Sequence, residues 1–274
     1  MKKSLLYSLL AGAVAIAIVS CEKNNLVIDQ DVTPPSFAKF NTLGNADTAG
    51  VYYIKATNEP FKIPIGVTNV SDQNRTIQLT YTSRTAAQGA QYNAPTTLTI
   101  PAGKAVDTLV INGLFSGYPS ATRIDTVFIK ISGGDAGVSS YKNTYRLILR
   151  KYCDVSLAAF AGDYDNVMDG TYGPYSVTVT PGTSSGTTGF VTISNVWDPG
   201  VPVTTRVNLD WTDPANFKAT IPDQAFYAPA NWWIVGTTNG TFSSCEQTFK
   251  LRYKLYNKAT GATLYDNQVT DIKR

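Results

Sequence analysis

This sequence of 274 residues contains 23 basic and 20 acidic residues, and it contains no histidine. The missing imidazole excludes Ser/His/Asp and Cys/His catalysis and removes the commonest zinc ligand. Beyond residue 20 no run of lysine or arginine exceeds two residues, so the chain lacks the clustered basic face that nucleic-acid binding requires. The composition therefore predicts neither a nucleic-acid partner nor histidine-dependent chemistry.

The first 20 residues have the pattern of an export signal. Lys2 and Lys3 precede an apolar run from Leu5 to Val19, and the small residue Ser20 follows it. A basic start, an apolar middle and a small residue at the cleavage point are typical of a secretory signal peptide. An uncleaved membrane helix is the alternative, but the run is shorter than the ~20 residues that a span needs. Cleavage would remove two basic and no acidic residues, which leaves a net charge of about +1.

The residue that follows this signal is a cysteine. Ile18-Val19-Ser20-Cys21 resembles the lipobox of bacterial lipoproteins. The resemblance implies cleavage before Cys21, acylation of its thiol with chains such as palmitate, and a lipid anchor in the outer membrane that faces the periplasm or the cell surface. Residues 21–36 are polar and end in two prolines, so we expect them to be a tether. The acidic Glu22 slightly favours surface display.

Two further cysteines, Cys153 and Cys245, remain after the lipidated one. An exported chain lies in an oxidising compartment, so a disulfide between them is expected, although two buried free thiols are the alternative. The bridge would close a long loop, which the chain-entropy model values at ~4 to 5 kcal/mol. Two thiols without histidine do not make a metal site, and neither a metal nor a cofactor is predicted.

Residues 37–151 are predicted to form an antiparallel β-sandwich of the immunoglobulin type. Apolar and polar residues alternate with period two in short segments that are rich in β-branched and aromatic residues. About seven such strands in roughly 115 residues fit a sandwich. The segments are residues 51–55, 61–67, 76–81, 97–100, 107–111, 125–131 and 145–149.

The middle of this region resembles the Calx-beta family. Ala87-Gln-Gly-Ala-Gln-Tyr92 and then Leu98-Thr-Ile-Pro-Ala-Gly103 are similar to the family's A-x-x-G-x-D-Y turn and L-T-I-P-A-G strand. The resemblance covers roughly residues 40–150 and implies the fold. Gln91 stands where the family has an acidic residue, and the hard oxygen ligands that calcium requires are not clustered nearby in the sequence. Calcium binding is therefore not expected.

Residues 152–274 are predicted to form an up-and-down β-barrel, because eight or so short strands follow one another through tight connections. The order of motifs resembles the lipocalin-like domains of envelope lipoproteins of Bacteroidota. The motifs are Gly162-Asp-Tyr164, Ile193-Ser-Asn-Val-Trp197, Ile221–Gln224 and the closing strand segment 251–256. The resemblance implies an accessory lipoprotein of a glycan-uptake locus, a group in which most members have no assigned activity.

The barrel region contains all four tryptophans, and Trp232 and Trp233 follow Tyr227 and Asn231 closely. Aromatic faces stack on sugar rings, and amides beside them bind hydroxyl groups. Consecutive strand residues point to opposite faces, so one of these two indoles must point away from the core. Packing against the first domain is the alternative for this pair, and core packing is expected for Trp197 and Trp211. A second aromatic turn, with Tyr172 and Tyr175, either rims the same end or makes a hairpin corner.

These features favour a non-catalytic, carbohydrate-binding accessory protein of a glycan-uptake system. The alternatives are a structural or assembly lipoprotein that binds an outer-membrane partner protein, and a carrier of a small apolar ligand, although a filled barrel is expected. No catalytic residue is predicted, because a glycosidase needs two carboxylates facing each other at ~5 to 9.5 Å. The acidic residues lie mostly in turn-like contexts such as Asp169-Gly170 and Asp213-Pro214.

Overall fold

The computed structural model describes residues 34–42, 48–197, 200 and 203–274. The predicted signal peptide, Cys21 and most of the tether lie outside these residues. The described chain consists of β-strands with three short 3-10 helices, at Phe115–Gly117, Leu157–Phe160 and Ala228–Ala230. Within it, no helix has the length and apolar character needed to cross a membrane. The prediction of an all-β fold is confirmed.

Two five-stranded sheets form the first module, in the orders β5–β7–β3–β1–β9 and β2–β10–β8–β4–β6. Their inward side chains share one buried core, so the predicted β-sandwich is confirmed. The strands are β1 Phe37–Phe40, β2 Ala49–Ile54, β3 Phe61–Val67, β4 Arg75–Thr82, β5 Tyr92–Asn93, β6 Thr97–Ile100, β7 Val106–Gly113, β8 Ile124–Gly134, β9 Gly137–Val138 and β10 Thr144–Lys151.

Strand β8 shows why these segments are strands. Val127, Ile129 and Ile131 are buried, while Phe128 and Lys130 between them are exposed, as period two requires. Most neighbouring strands are antiparallel, but β1 with β9 and β2 with β10 are parallel. The prediction of a purely antiparallel sandwich is therefore wrong in these two pairs. Their members are far apart in the chain, and parallel neighbours need a long connection rather than a hairpin.

Gln91 has a structural role in the turn that resembles the Calx-beta motif. Its side chain is buried; Oε1 accepts a hydrogen bond from the Ala87 amide at 2.9 Å, and Nε2 donates one to the Gly117 carbonyl at 3.1 Å. An amide can satisfy both partners, whereas a carboxylate has no N–H to donate. Among the described residues, no three Asp, Glu, Cys or His side chains are grouped to hold a metal ion.

The second module is a closed barrel. Eight strands form a ring in the order β11–β12–β13–β14–β15–β18–β19–β20, because β20 pairs with both β19 and β11. The hairpin β16–β17 extends the wall, with β17 paired to β19. The strands are β11 Gly162–Asp169, β12 Tyr172–Ser185, β13 Thr188–Ser194, β14 Thr204–Asp210, β15 Lys218–Thr220, β16 Gln224–Tyr227, β17 Trp232–Gly236, β18 Gly240–Ser243, β19 Thr248–Asn257 and β20 Thr263–Lys273.

Side chains fill the interior of the barrel. On β19, Phe249, Leu251, Tyr253 and Leu255 are buried, and Lys250 between them is exposed. The inward residues of the other strands join them in one continuous core. A small eight-stranded barrel has just enough interior space for its own side chains. This packing does not favour the carriage of an apolar ligand.

The two ends of the barrel are formed by different connections. Residues 170–171, 195–197, 228–231 and 258–262 lie at the ends of strands on one side of the barrel, which we call the loop end. At the other, the sandwich end, strand β10 leads into the barrel through the 3-10 helix at Leu157–Phe160. The residues near 245 lie at this end too, since Cys153 and Cys245 form a disulfide with a Cα–Cα distance of 5.2 Å. The predicted disulfide is confirmed.

Candidate ligand-binding site

Aromatic side chains gather at the loop end of the barrel. The ring centroid of Trp197 lies 4.8 Å from that of Tyr265, 5.8 Å from that of Trp232 and 6.4 Å from that of Phe226. Tyr227 lies 5.8 Å from Trp232. We call these five residues the loop-end cluster. Phe226 is buried beneath the others, while Tyr265 is 43% exposed.

Strand β17 and the turn before it position Trp232. Asn231 adopts a left-handed conformation with φ of 55° and ends the short helix, a conformation that asparagine tolerates better than most residues. Trp232 then begins β17 on the same face as the fully buried Ile234. Its indole therefore lies at the inner rim of the barrel, half-buried above the core.

Trp233 points to the opposite side of the wall, as the alternation predicts. The Lys258 ammonium lies 4.2 Å from the centroid of its ring. Asp223 holds this lysine at 2.9 Å and accepts a hydrogen bond from the Tyr256 hydroxyl at 2.7 Å. Hydrogen bonds from Tyr256 and Lys258 also hold the pKa of the Asp223 carboxyl below its usual value. Trp233 is thus covered by a cation and is not part of the loop-end cluster.

The turn with Tyr172 and Tyr175 lies at the same end. Their ring centroids are 5.9 Å apart, but Tyr172 is 57% exposed and Tyr175 only 9%. The Tyr175 hydroxyl donates a hydrogen bond to the Val196 carbonyl at 2.6 Å, next to Trp197. Tyr175 therefore supports the segment that carries Trp197, and Tyr172 is the member of the pair that solvent can reach.

A polar network lies below the aromatic rim. The Thr270 and Tyr253 hydroxyls are 2.8 Å apart, and Thr270 donates a hydrogen bond to Asp169 Oδ1 at 3.3 Å. Burial raises the pKa of Asp169 to about 6, although the hydrogen bond from Thr270 acts in the opposite direction. The network holds the end of β11 in place at the loop end, because Asp169 is the last residue of this strand and pairs with Tyr172 on β12.

Six site residues were predicted, and five of them lie on the inner side or the turns of the loop end: Tyr172, Tyr175, Tyr227, Asn231 and Trp232. Sequence reasoning assigned Trp197 to the core and did not single out Tyr265. Trp197 does pack against the core, yet it also makes three of the ring contacts in the cluster. The pairing of β19 with β20 brings in Tyr265 opposite Leu255, and only the closed ring reveals this proximity. The ring partners of Trp232 are all barrel residues.

No protein-family model matches this sequence, and no curated protein matches it. Solved structures do match. The apo-form Calx CBD1 domain has 12% identity and a TM-score of 0.34, covering 43% of this chain and 98% of that chain. A Bacteroides ovatus protein of unknown function has 11% identity and a TM-score of 0.36, and the match covers 88% of this chain and 95% of that chain.

A multidomain protein including DUF1735, also from Bacteroides ovatus, has 11% identity and a TM-score of 0.31. The match covers 86% of this chain and 93% of that chain. At such identities and scores the similarity carries no argument about function. The function must therefore be argued from the arrangement of the side chains.

Proposed function

We propose that this protein is a non-catalytic, lipid-anchored outer-membrane protein that binds carbohydrate at the loop end of its barrel. Its place would be that of an accessory protein in a glycan-uptake system. The observation that carries the proposal is the loop-end cluster, in which Trp197, Trp232 and Tyr265 remain partly open to solvent. Sites for organic ligands combine such aromatic walls with a few polar groups.

The angles between the rings favour a sugar over a flat protein surface. The planes of Trp197 and Trp232 are inclined at 77°, and those of Trp197 and Tyr265 at 48°. Inclined rings form an angled surface that can contact two sides of a sugar ring. The exposed Asn231 lies beside it and carries an amide that can bind hydroxyl groups.

The proposal also includes a lipocalin-like fold for the barrel and a Calx-beta-like fold for the sandwich. Around the barrel, most strands that follow one another in the chain pair as antiparallel neighbours. The exceptions are β15, which pairs with β18 rather than β16, and β17, which pairs with β19 rather than β18. This next-neighbour order supports a lipocalin-like barrel. The turn that Gln91 holds together supports a Calx-beta-like sandwich. We infer that the sandwich acts as a spacer between the lipid anchor and the barrel.

The lipid anchor can be tested separately from the ligand. Metabolic labelling with a palmitate analogue should label the full-length protein and place it in the outer-membrane fraction. The Cys21→Ala variant should lose the label and leave that fraction. A labelled Cys21→Ala variant would contradict the assignment of the lipid to this thiol.

A glycan-array screen tests the binding site. The protein would start at residue 22, which retains every described strand. The two indoles on either side of β17 provide matched variants: Trp232→Ala should abolish binding, and Trp233→Ala should retain it. The milder Tyr265→Ala variant should weaken binding, and circular dichroism would verify that all three fold. Binding that survives in a folded Trp232→Ala variant would contradict the proposed site.

A partner protein is the second candidate, and the outer face of the second sandwich sheet favours it. Val51, Ile124 and Phe128 are exposed on this face, on strands β2 and β8 that flank β10. Exposed apolar residues that share one face of a sheet are candidates for an interaction surface. Phe128→Lys should abolish co-purification of a partner from outer membranes without affecting glycan binding. Unchanged co-purification would exclude this surface, and an array without any bound glycan would favour the partner hypothesis.

A further inference from the structure

A groove of about 580 Å³ lies between the sandwich and the barrel, away from the loop-end cluster. We call it the interdomain groove. Residues 120–122, 124 and 150–153 line it from the sandwich, and residues 214–217, 241–246, 248, 250 and 273 line it from the barrel. Its volume falls within the range of small-molecule sites, which occur preferentially between domains.

Positive charge is concentrated in this groove. Arg150 comes from the sandwich, and Lys250 and Lys273 come from the barrel. Lys151 also lines the groove, but its ammonium lies 4.7 Å from the ring centroid of Phe115, which is not a lining residue. Among the described residues that line it, Glu246 is the one acidic side chain. The Glu246 carboxylate accepts hydrogen bonds from the Ala121 amide at 2.7 Å and from the Ser243 hydroxyl. The acid therefore links the two modules and its oxygens are already engaged.

Lys250 and Lys273 lie on β19 and β20, with their side chains on the outer face of the barrel. Lys250 pairs with Asp271 across β19 and β20, at an N–O distance of 3.5 Å. Both side chains are more than a third exposed, and such ion pairs contribute only ~0 to 1 kcal/mol. The two acids, Asp271 and Glu246, leave an excess of positive charge around the groove. A bound anion would be attracted to this excess positive charge.

The groove also has an aromatic wall. Tyr152 lies 5.8 Å from Phe217, and Phe217 stacks on Phe242 at 5.1 Å. Burial raises the pKa of the Tyr152 phenol, so this ring stays uncharged and adds no negative charge. A ligand with an apolar ring face and acidic substituents matches the wall and the cations together.

Several bonds hold the two walls in place. The Cys153–Cys245 disulfide crosses between the segments that line the groove. The Ser244 hydroxyl donates a hydrogen bond to the Cys153 carbonyl at 2.7 Å, and Lys55 bonds to Asp154 at 2.6 Å. A cleft held by such links is preorganised, which lowers the entropy cost of binding.

We propose that the interdomain groove is a second binding site and that it takes an acidic sugar, one whose carboxylate or sulfate groups contact Arg150, Lys250 and Lys273. Its ring would pack on Phe217, since the Lys55 ammonium already lies 4.8 Å from the ring centroid of Tyr152. This site is independent of the loop-end cluster, and it stands whether or not that cluster binds glycans.

Calorimetric titration of the protein from residue 22 onward tests the proposal. A galacturonate trimer, a galactose trimer of the same length without carboxylates, and a sulfated disaccharide are the probes. The Lys250→Gln/Lys273→Gln variant removes two groove cations. Arg252→Gln is the matched control, because Arg252 lies on β19, is exposed like Lys250 and does not line the groove.

Binding of one or both acidic probes, without binding of the galactose trimer in the groove, is the expected result. The double variant should weaken it by about tenfold or more, as expected for loss of two charge-assisted contacts, and Arg252→Gln and Trp232→Ala should leave it unchanged. The proposal is overturned if neither acidic probe binds at low ionic strength. It is also overturned if the double variant binds like the wild type, or if Arg252→Gln weakens binding equally, which would indicate non-specific attraction.

Discussion

The two ends of the barrel are joined by the same strands, yet their aromatic side chains have different surroundings. At the sandwich end, Phe160 and Phe249 are buried with ring centroids 5.0 Å apart, and a disulfide closes the structure above them. At the loop end, Trp197, Trp232 and Tyr265 remain partly exposed. Aromatic content alone therefore does not mark a binding site. The degree of cover separates rings that stabilise the barrel from rings that a ligand can reach.

The charged residues differ between the ends as well. At the sandwich end the cations line a groove together with aromatic rings. At the loop end the cation Lys258 lies outside the wall, on Trp233, and is already paired with Asp223. The inner rim is left uncharged above the partly buried Asp169. The comparison predicts neutral sugars for the loop end and acidic sugars for the groove.

Removal of the disulfide should have the largest effect on stability. The bridge joins residues 92 positions apart, and the chain-entropy model gives about 4 to 5 kcal/mol for a loop of this length. We expect the Cys153→Ser/Cys245→Ser variant to lose about that much free energy of unfolding, measured by chemical denaturation. A loss below about 1 kcal/mol would show that the sandwich end does not depend on its cross-link.

Truncation of one ring at each end sharpens the comparison. Phe249 packs on Phe160, Tyr164 and Phe242, so Phe249→Ala should cost about 3 to 5 kcal/mol through lost burial and a cavity. Tyr265→Ala at the loop end should cost less than about 1 kcal/mol, because this ring is 43% exposed. Similar losses in the two denaturation curves would abolish the distinction between stabilising and ligand-binding rings.

The loop end should respond to pH through Asp169, whose pKa burial raises from 3.8 to about 6. The folded state therefore holds the proton more tightly than the unfolded state does. The cost of the buried charge is complete above pH 6 and is relieved as the pH falls from about 6 towards 4. Asp169→Asn should raise the melting temperature at pH 7.5 and should change it little at pH 4. A variant that is less stable than the wild type at pH 7.5 would contradict this account.

The smallest effect is expected for Lys258→Ala. The substitution uncovers the outer face of Trp233, so tryptophan emission should shift to longer wavelength while glycan binding at the inner rim stays unchanged. Lys254→Ala is a suitable control, because this lysine lies on β19, near Tyr256 rather than on the indole. Loss of glycan binding in Lys258→Ala would move the site from the inner to the outer side of β17.

Much of the fold could be predicted from local patterns. Alternation in β8 and β19 identifies these strands and their buried faces, and two cysteines in a chain with an export signal predict the disulfide. Period two also predicts that the side chains of Trp232 and Trp233 point to opposite faces of the strand. The alternation alone leaves open which one faces inward, since this depends on where β17 begins and on its pairing with β19.

The sites themselves depend on contacts that no local pattern contains. Trp197 and Tyr265 meet because β20 closes the ring between β19 and β11. Arg150, Lys250 and Lys273 share a groove because β10 ends where the outer face of the barrel begins. These residues are distant in the chain and carry no motif. The parallel pairing of β2 with β10 is a long-range feature of the same kind.

The distinction between the loop end and the sandwich end is tested most directly by NMR, through the indole N–H resonances of the four tryptophans. Trp197 and Trp232 report on the inner rim, Trp233 on the outer wall, and Trp211 on the sandwich end through its contact with Phe242 at 6.5 Å. A neutral glycan from the array should shift the resonances of Trp197 and Trp232, and the galacturonate trimer should shift that of Trp211. Shifts of the same resonances by both ligands would contradict the account.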